Sequence, residues 1–485
     1  MSEGADKMSE EKQSSCSGFE GNVVAKGYTM NTIGRGLVIA TNVFMSTSLL
    51  YLASEEVGCI DGEGNSIDCD NKVYGFRPSS LLTNIAVITG LLAAFLNPIV
   101  GAIIDFTDHR HALGCAASVA MILIQAIQSY TVSSTWFPMA ILQAAVVFIF
   151  EVFLMTAYAY LPELAQEVGE EKMKNFSPKF IMSQFFFQSM HLVIVLAISI
   201  ALNTSTVVTA QISQGLVSVF LSVFLGLAWF KYLPKAKAKR PLPEGKSLYT
   251  AGFSQLFHTI RLINQEYKNS LRPYLLAVTF AEAGVNAFIV CAVTYMNEVI
   301  KMNSTETGVA FLIVLVSIIP GAKFSEFVTT KMSMKNSWRI NLFYYSIATG
   351  IGAWLMKDES SKIITYIMSM FWGLGLGWYY SVQTASFSVL MPQEQATELS
   401  GLFSFCGIVL SWLPPLVFTI MNESGIHMRY GVLHLVAYLL IAILFLSAMP
   451  DWDEVLTESH LKSIDTTAEN KREESSSHQE EIGKC

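Results

Sequence analysis

Polar side chains recur on one face of five long apolar segments, where such groups are costly in a bilayer. Within a segment their spacing is one or two helical turns, which places them on the same face of a helix. The five sets are Gln184, Gln188 and His191; Tyr379, Gln383 and Ser386; Arg35, Asn42 and Ser46; Glu282 and Asn286; and Glu151 and Tyr158. These groups can bind a polar solute through hydrogen bonds and ion pairs, which predicts a polar cavity. The alternative is interhelical hydrogen bonding, worth about 0.6 kcal/mol per bond.

Several of these side chains are ionisable and can carry or balance charge during transport. Glu151, His191 and Glu282 are candidates for binding a proton, because an imidazole titrates near about pH 6.5 and burial disfavours an ionised carboxylate. Asn286 lies one turn after Glu282 and is placed to hold its protonated form by a hydrogen bond. Arg35 offers a fixed positive charge to a solute carboxylate. Protons are therefore a candidate coupling partner, and helix packing is the alternative role.

Charged residues at the ends of two apolar segments form a repeated pattern. Residues 97–111 read Asn-Pro-Ile-Val-Gly-Ala-Ile-Ile-Asp-Phe-Thr-Asp-His-Arg-His, which resembles the G-x-x-x-D-x-x-x-x-[RK] signature of the major facilitator superfamily, and residues 320–331 resemble a degraded copy. The resemblance implies a transporter fold in which carboxylates beside basic loops latch the cytosolic side shut. The candidate gating residues are Gly101, Asp105, Arg110, Glu163, Glu326 and Lys331. The alternative is that these charges only set the topology.

Two further helix ends resemble the autophagy-related vacuolar effluxer family of fungi. Residues 158–164 resemble its Tyr/Asn-x-x-Leu-Pro-Glu helix end, and residues 386–404 resemble its Leu-Ile-Pro…Glu-Phe-Phe-x-Leu-Phe turn. The resemblance implies a vacuolar membrane protein that exports amino acids such as leucine. Residues 383–386 depart from the family pattern because they lack an Arg that relatives commonly carry before the Pro motif. If that Arg contacts substrate in relatives, the substrate of this chain differs.

Twelve apolar segments are long enough to position these residues, since a helix needs about 20 residues to cross a bilayer. They lie at 34–53, 80–104, 112–130, 137–160, 178–202, 207–230, 273–299, 306–328, 338–356, 363–389, 398–421 and 429–449. The predicted fold is an all-α membrane protein with twelve transmembrane helices in two six-helix halves, 34–230 and 273–449, like the major facilitator superfamily. The remaining parts are a cytosolic tail 1–33, a basic cytosolic linker 231–272 with an amphipathic helix, and a disordered cytosolic tail 450–485.

The distribution of basic residues predicts the orientation of the chain. The predicted tails and loops on the side of the termini, together with the helix ends beside them, hold 24 of the 31 Lys and Arg residues, and the opposite loops and helix ends hold six. Because basic loops stay in the cytosol, both termini are expected there. Cys59 and Cys69 then share a non-cytosolic loop, where an oxidising compartment favours a disulfide; two free thiols are the alternative.

Other chemistries lack their sequence patterns. The chain has no G-x-x-x-x-G-K-[ST] phosphate loop, and the Gly-rich residues 373–377 lie inside an apolar segment, which favours close helix packing over nucleotide binding. We therefore predict a secondary transporter that works by alternating access, not an enzyme, with no metal and no cofactor. Its expected partners are a small-molecule substrate, an amino acid by the family resemblance, and the lipid bilayer, but no nucleic acid. The alternatives are a transport-inactive membrane receptor or scaffold on the same fold and a transporter of another small organic solute.

Overall fold

The computed structural model describes residues 21–60, 70–168, 170–238, 241–243, 245–390 and 396–456. Strand pairing among them is limited to an isolated bridge between Val73 and Phe76. The helices are α1 Val23–Glu56, α2 Leu81–Phe106, α3 Arg110–Gln128, α4 Trp136–Tyr158, α5 Leu161–Val168, α6 Glu170–Leu202, α7 Thr206–Leu227, α8 Leu248–Glu266, α9 Leu271–Glu298, α10 Ser304–Thr329, α11 Met334–Leu355, α12 Lys362–Leu390, α13 Ala396–Ile408, α14 Leu413–Glu423, α15 Met428–Leu433 and α16 Leu435–Ala448. A 3₁₀ turn at Pro78–Ser80 leads into α2, and a π-helical turn at Ala228–Tyr232 follows α7.

The described residues include ten helical spans that are long and apolar enough to cross a membrane. The predicted all-α membrane fold is thereby confirmed. The predicted segments 338–356 and 363–389 form α11 and α12, which contain 22 and 29 residues. These two helices are long enough to span, but their Asn, Tyr, Trp, Gly and Ser residues make them less apolar than the other ten. The count of twelve stays a prediction.

The bounds of several helices differ from those of the predicted segments, for identifiable reasons. The first helix begins at Val23 rather than at 34. Residues 23–33 are too polar to be recognised as part of a membrane span from their hydropathy, yet most of them are buried in the structure. The predicted helix 398–421 is two helices, α13 and α14, with a break before Pro414 and Pro415. Proline lacks a backbone N–H and collides with the preceding turn, so a helix does not continue through this pair unbroken. The predicted helix 429–449 is likewise divided at His434 into α15 and α16.

The first of two compact units is built around α1. It comprises the described residues of Met1–Glu56, Ile99–Tyr249 and Asn303–Gly308. Within it α1 packs along α6 and α7, and α3 packs on α4. The buried side chains of Phe153, Leu221 and Trp229 form part of its core. Gly114 is required beside the indole, since a Cβ at that position would lie 2.0 Å from the Trp229 ring.

The second compact unit is built around α9. It comprises the described residues of Val57–Pro98, Thr250–Met302 and Val309–Cys485. The two units follow the predicted halves except that residues 57–98 and 303–308 are each grouped with the other half. Within the second unit α9 packs on α16, and α11 packs on α12. Helix α8 lies in the segment that was predicted as a linker with an amphipathic helix.

Glycines bring α10 and α12 into direct backbone contact in the second unit. A Cβ at Gly377 would lie 2.1 Å from the carbonyl oxygen of Ile318, and a Cβ at Gly373 would lie 2.4 Å from that of Val314. A Cβ at Gly321 would lie 2.2 Å from a backbone oxygen of α12. The interpretation of the Gly-rich residues 373–377 as a helix-packing surface is thereby confirmed.

Substituting Gly377→Ala should destabilise the protein by about 1–3 kcal/mol, because the added methyl group meets backbone that cannot rotate away. The measurement is the midpoint of thermal unfolding of the purified protein in detergent. Gly226→Ala is the matched control, since nothing lies within 4 Å of a Cβ there and alanine favours a helix over glycine. An unchanged midpoint for Gly377→Ala would contradict the close packing of α10 and α12.

Candidate functional site

The second unit holds a carboxylate, Glu282, near the middle of α9. The Tyr379 hydroxyl and the Gln383 Nε2 group, one turn apart on α12, donate hydrogen bonds to Glu282 Oε1 at 3.2 and 2.8 Å. Asn286 Nδ2, one turn on along α9, donates to Oε2 at 3.1 Å. The polar stripes of two separate segments therefore meet at one carboxylate, although Ser386, the third member of the α12 stripe, does not bond to it.

Surrounding groups fix the α12 side of this cluster. The Tyr274 hydroxyl donates a hydrogen bond to the main-chain oxygen of Gln383 at 2.7 Å. Trp338 packs against Tyr274 and Tyr379 with ring centroids 5.4 and 6.1 Å away. Ser386 is buried, and its hydroxyl has no hydrogen-bond partner among the described residues. Tyr379 and Gln383 are thus buried and fixed in position, and both donate hydrogen bonds to the half-buried Glu282 carboxylate.

The hydrogen bonds to Glu282 come from neutral groups. Among the described residues of the second unit, no Lys, Arg or His nitrogen lies within 4.0 Å of its carboxylate oxygens. A carboxylate away from water is costly unless a cation or a proton compensates it. Its two oxygens offer about four acceptor positions, and three donors occupy them, two on Oε1 and one on Oε2. The remaining position on Oε2 can take a proton or a donor from a cationic ligand.

In the first unit the polar stripes of α1 and α4 also meet. Arg35 Nη1 donates a hydrogen bond to the Tyr158 hydroxyl at 2.5 Å. The guanidinium carbon lies 5.9 Å from the centroid of the same ring. Glu151 is half-buried on α4, two turns before Tyr158. Arg35 is half-buried as well, so this unit presents a positively charged group that an aromatic hydroxyl orients.

Asn42 takes part in a chain of amides that joins three helices of the first unit. Gln143 Nε2 on α4 donates to Asn42 Oδ1 on α1, and Gln128 Nε2 on α3 donates to Gln143 Oε1 at 3.0 Å. Ser46 lies one turn further along α1 and is half-buried. The contacts of Asn42 favour the packing alternative for this residue.

The stripe on α6 is covered by neighbouring helices. A Cβ at Gly36 of α1 would lie 2.8 Å from Gln184 Cγ and 3.3 Å from Gln188 Cβ, so both glutamines pack against this glycine. His191 is completely buried, and its Nε2 lies 3.0 Å from the Ser213 hydroxyl, which is 2.8 Å from that of Thr41. Hydroxyl partners suit a neutral imidazole, because a buried imidazolium needs a counter-charge. Gln184, Gln188 and His191 therefore resemble bundle contacts more than a cavity wall.

The structure brings two of the candidate gating residues together. Arg110, the first residue of α3, is almost completely buried, and its Nη1 and Nη2 groups donate to the Glu163 carboxylate oxygens at 2.7 Å each. Nη1 also donates to the Ala159 carbonyl at 3.2 Å, and the guanidinium carbon lies 4.2 Å from the centroid of the Tyr160 ring. This two-bond pairing is the strongest geometry open to arginine and a carboxylate.

The other candidate gating residues lie outside this pair. Gly101 faces Met155, whose methyl carbon would be 3.8 Å from a Cβ, and Asp105 is half-buried in the last turn of α2. In the second unit Glu326 and Lys331 are both exposed, and the Lys331 ammonium lies 4.3 Å from the centroid of the Phe327 ring. Within the described part of that unit they form no ion pair with each other, so the degraded copy lacks a buried pair like that of Arg110.

The predicted cysteine bridge is described at one end. Cys59 is buried and disulfide-bonded. Cys69, its predicted partner, lies outside the described residues. Cys115, Cys291 and Cys406 are free thiols.

Sequence analysis missed Gln143, Ser213 and Tyr274, which support the candidate residues. Gln143 and Ser213 are single polar residues inside apolar segments, and a polar residue at such a position is itself a signal of a buried hydrogen bond. Neither belonged to a stripe, so the periodicity did not select them. Tyr274 acts through its hydroxyl on a main-chain oxygen, a contact that no side-chain pattern can predict.

Solved structures of transporters share this fold. The inward open xylose transporter XylE from E. coli matches with a TM-score of 0.60 at 13% identity, over 90% of this chain and 98% of that chain. A single-residue mutant of the nucleoside transporter NupG matches with a TM-score of 0.58 at 12% identity, over 89% of this chain and 100% of that chain. The chain therefore shares the fold of these transporters.

A family model identifies the family of the chain, which the fold alone does not. The model described as "Vacuole effluxer Atg22 like" matches residues 37–453, and the chain belongs to this family. The resemblance noted at the helix ends is thereby confirmed, and the chain is a multi-pass membrane transporter of the effluxer family. No curated protein matches the chain.

Proposed function

We propose that this protein moves amino acids from the vacuole to the cytosol across the vacuolar membrane, and that a proton on Glu282 couples the movement to the acidity of the lumen. The family is one of vacuole effluxers, which supports the direction and the compartment. The single observation that carries the coupling is the set of three neutral donors around Glu282. Arg35, oriented by Tyr158, is the candidate in the first unit for binding a substrate carboxylate.

The geometry of Glu282 fits a group that gains and loses a proton in each cycle. A proton on Oε2 leaves lone pairs for all three donors, so the hydrogen bonds persist in both charge states. An ionised carboxylate without a cation nearby is costly, which favours protonation when the site faces an acidic lumen. Glu282 therefore has surroundings better suited to coupling than those of His191, whose ring nitrogen Nε2 is paired with a hydroxyl.

The orientation that we propose places both termini in the cytosol. The excess of Lys and Arg on the side of the termini supports it. In this orientation the Arg110–Glu163 pair, which follows the C-terminal end of α2, lies on the cytosolic side. Cys59, which precedes α2, lies on the lumenal side, where a disulfide is stable.

Efflux from vesicles tests this proposal. Purified protein is reconstituted into liposomes that are loaded with a mixture of radiolabelled amino acids, and the loss of label is compared with that from protein-free liposomes. We expect faster efflux with the protein, and a further acceleration when the side that represents the lumen is acidic. Parallel loads of a nucleoside and of xylose test the solute classes that the structural neighbours carry. Efflux of one of these loads without efflux of amino acids would contradict the substrate, and no flux of any load would favour a receptor or scaffold.

A further inference from the structure

An exposed apolar face of α7 continues directly into a row of lysines. Val219 and Val223 are exposed on α7, and Phe230, in the π-helical turn that follows it, is 73% exposed. Their spacing of four and seven residues places the three side chains on one face. On a membrane-spanning helix such a face contacts the hydrocarbon of the bilayer, since contact of apolar surface with water is unfavourable. Phe230 is the last apolar residue of this face before the lysines begin.

The lysines lie on residues 231–238, the lysine segment. Lys231, Lys235 and Lys237 are all exposed. None of the three forms an ion pair with a carboxylate in the part of the chain that the structure describes. The Lys231 ammonium lies 5.5 Å from the centroid of the Tyr232 ring, and Lys and Tyr are both residue types that lie at the headgroup level of a bilayer. The lysine segment therefore presents three positive charges where the apolar face ends.

The start of the lysine segment is packed against α1. Leu233 is buried, and its main-chain N–H donates to the Ala228 carbonyl at 2.8 Å. Gly27 of α1 leaves room for the chain, since a Cβ there would lie 2.9 Å from Tyr232 Cβ and 3.0 Å from Leu233 Cγ. Packing thus fixes the direction in which the chain leaves the π-helical turn.

Two hydrogen bonds hold the remainder of the lysine segment to the first unit. The Tyr160 hydroxyl, just after α4, donates to the Pro234 carbonyl at 2.9 Å. The Ala238 main-chain N–H donates to Asp108 Oδ1, just before α3, at 2.6 Å. A hydrogen bond to a carboxylate is stronger than one between neutral groups. The chain between Pro234 and Ala238 is therefore held at both of its ends.

The side chains between these two bonds alternate in exposure. Lys235 and Lys237 are exposed, whereas Ala236 and Ala238 are half-buried. This alternation is that of an extended chain, in which successive side chains point to opposite sides. The two lysines then share the outward side, with their Cα atoms about 7 Å apart. Because the backbone is held in place, the two charges are brought together before a ligand binds, which lowers the entropy lost on binding.

We propose that the lysine segment is a binding site for an anionic phospholipid of the leaflet at this end of α7. The acyl chains of the lipid pack along the exposed face that ends at Phe230, and its anionic headgroup is bound by the lysines. Basic residues beside a membrane attract anionic lipids in general. Here the fastened backbone turns that attraction into a site. The adjoining apolar face favours a lipid over a soluble anion, which has no acyl chains to place there.

Native mass spectrometry of the purified full-length protein in detergent measures this binding without any transported solute. The affinity of the first bound molecule is compared for phosphatidylserine, phosphatidylcholine and glycerophosphoserine, which is the soluble headgroup alone. We expect phosphatidylserine to bind most tightly. Lys235→Gln combined with Lys237→Gln should weaken its binding about thirtyfold, or roughly fivefold per lysine.

A second double variant controls for the change in net charge. Lys268→Gln combined with Arg272→Gln removes two exposed cations of the second unit and should leave the affinity for phosphatidylserine unchanged. An equal loss in the two double variants would overturn the proposal, since it would show attraction to net charge without a site. Binding of glycerophosphoserine as tight as that of phosphatidylserine would also overturn it and assign the lysines to a soluble anion.

Asp108→Ala separates a fastened site from general attraction, because the two predict opposite results. If charge alone decides, removal of an acidic residue near the lysines strengthens the binding of phosphatidylserine. If the lysine segment must be held in place, loss of the bond to the Ala238 N–H weakens the binding, which we expect by about threefold. Glu167→Ala is the control, since Glu167 is an exposed acceptor for Asn22 rather than for the lysine segment. Unchanged or tighter binding in Asp108→Ala, at an unchanged unfolding temperature, would overturn the proposal.

Discussion

Glu282→Gln is expected to abolish the dependence of efflux on lumenal acidity while leaving solute exchange at equal concentrations measurable. Glutamine has nearly the same shape and imitates the protonated carboxyl, but it cannot release a proton. Its oxygen can still accept from Tyr379 and Gln383, so the α12 side of the site is preserved. Its amide group would face Asn286 Nδ2, and the loss of this one hydrogen bond costs about 1 kcal/mol. Net flux driven by acidity should therefore fall to the level of protein-free liposomes.

Matched substitutions separate coupling from general damage. Glu359→Gln makes the same change at an exposed ion pair of the same unit and should keep the wild-type acid dependence. Glu151→Gln and His191→Gln test the two other ionisable candidates and should also keep it. If Glu282→Gln exchanges and responds to acidity like the wild type, Glu282 belongs to the packing of α9 and α12. If Glu282→Gln, Glu151→Gln and His191→Gln all keep the response to acidity, the carrier is a uniporter or is coupled elsewhere.

The contacts of Glu282 show how polar periodicity places side chains of separate helices beside one another. Tyr379 and Gln383 are one helical turn apart, and so are Glu282 and Asn286, which fixes the face that each pair occupies on its own helix. The chemistry of the groups then favours the contact, because a donor that is buried in a membrane without an acceptor is costly. A carboxylate on one helix and two donors on its neighbour satisfy that requirement together.

The same periodicity on α6 did not predict the surroundings of its residues. Gln184, Gln188 and His191 share a face, but Gly36 of α1 packs against both glutamines, and the Ser213 hydroxyl of α7 lies beside His191. Spacing gives the direction of a side chain relative to its own helix, whereas the neighbouring helix decides whether the direction leads to a cavity or to a packed interface. That neighbour depends on contacts distant in sequence.

Breaking the Arg110–Glu163 pair from its two ends should have unequal effects. Arg110 is almost completely buried, whereas the Glu163 side chain is 45% exposed. Glu163→Gln leaves a buried guanidinium without its counter-charge. For a fully buried pair this lowers the free energy of unfolding by up to about 3–5 kcal/mol. The loss is smaller here because water reaches Glu163. Arg110→Met leaves a carboxylate that water can solvate and fills the buried volume with an apolar chain. Glu163→Gln should therefore lower the unfolding temperature more than Arg110→Met.

The double variant identifies the part of this cost that belongs to the pair. Once Arg110→Met has removed the buried cation, Glu163→Gln should cost almost nothing further, so the double variant should unfold near the temperature of Arg110→Met. Glu167→Gln on the same short helix α5 is the control, because Glu167 accepts an exposed hydrogen bond from Asn22 and pairs with no buried cation among the described side chains. We propose that the pair also latches the cytosolic side, so both single variants should lower efflux at normal protein abundance. Additive losses of stability would show that Arg110 and Glu163 act independently, and wild-type efflux in both singles would show that their pairing holds the fold without gating transport.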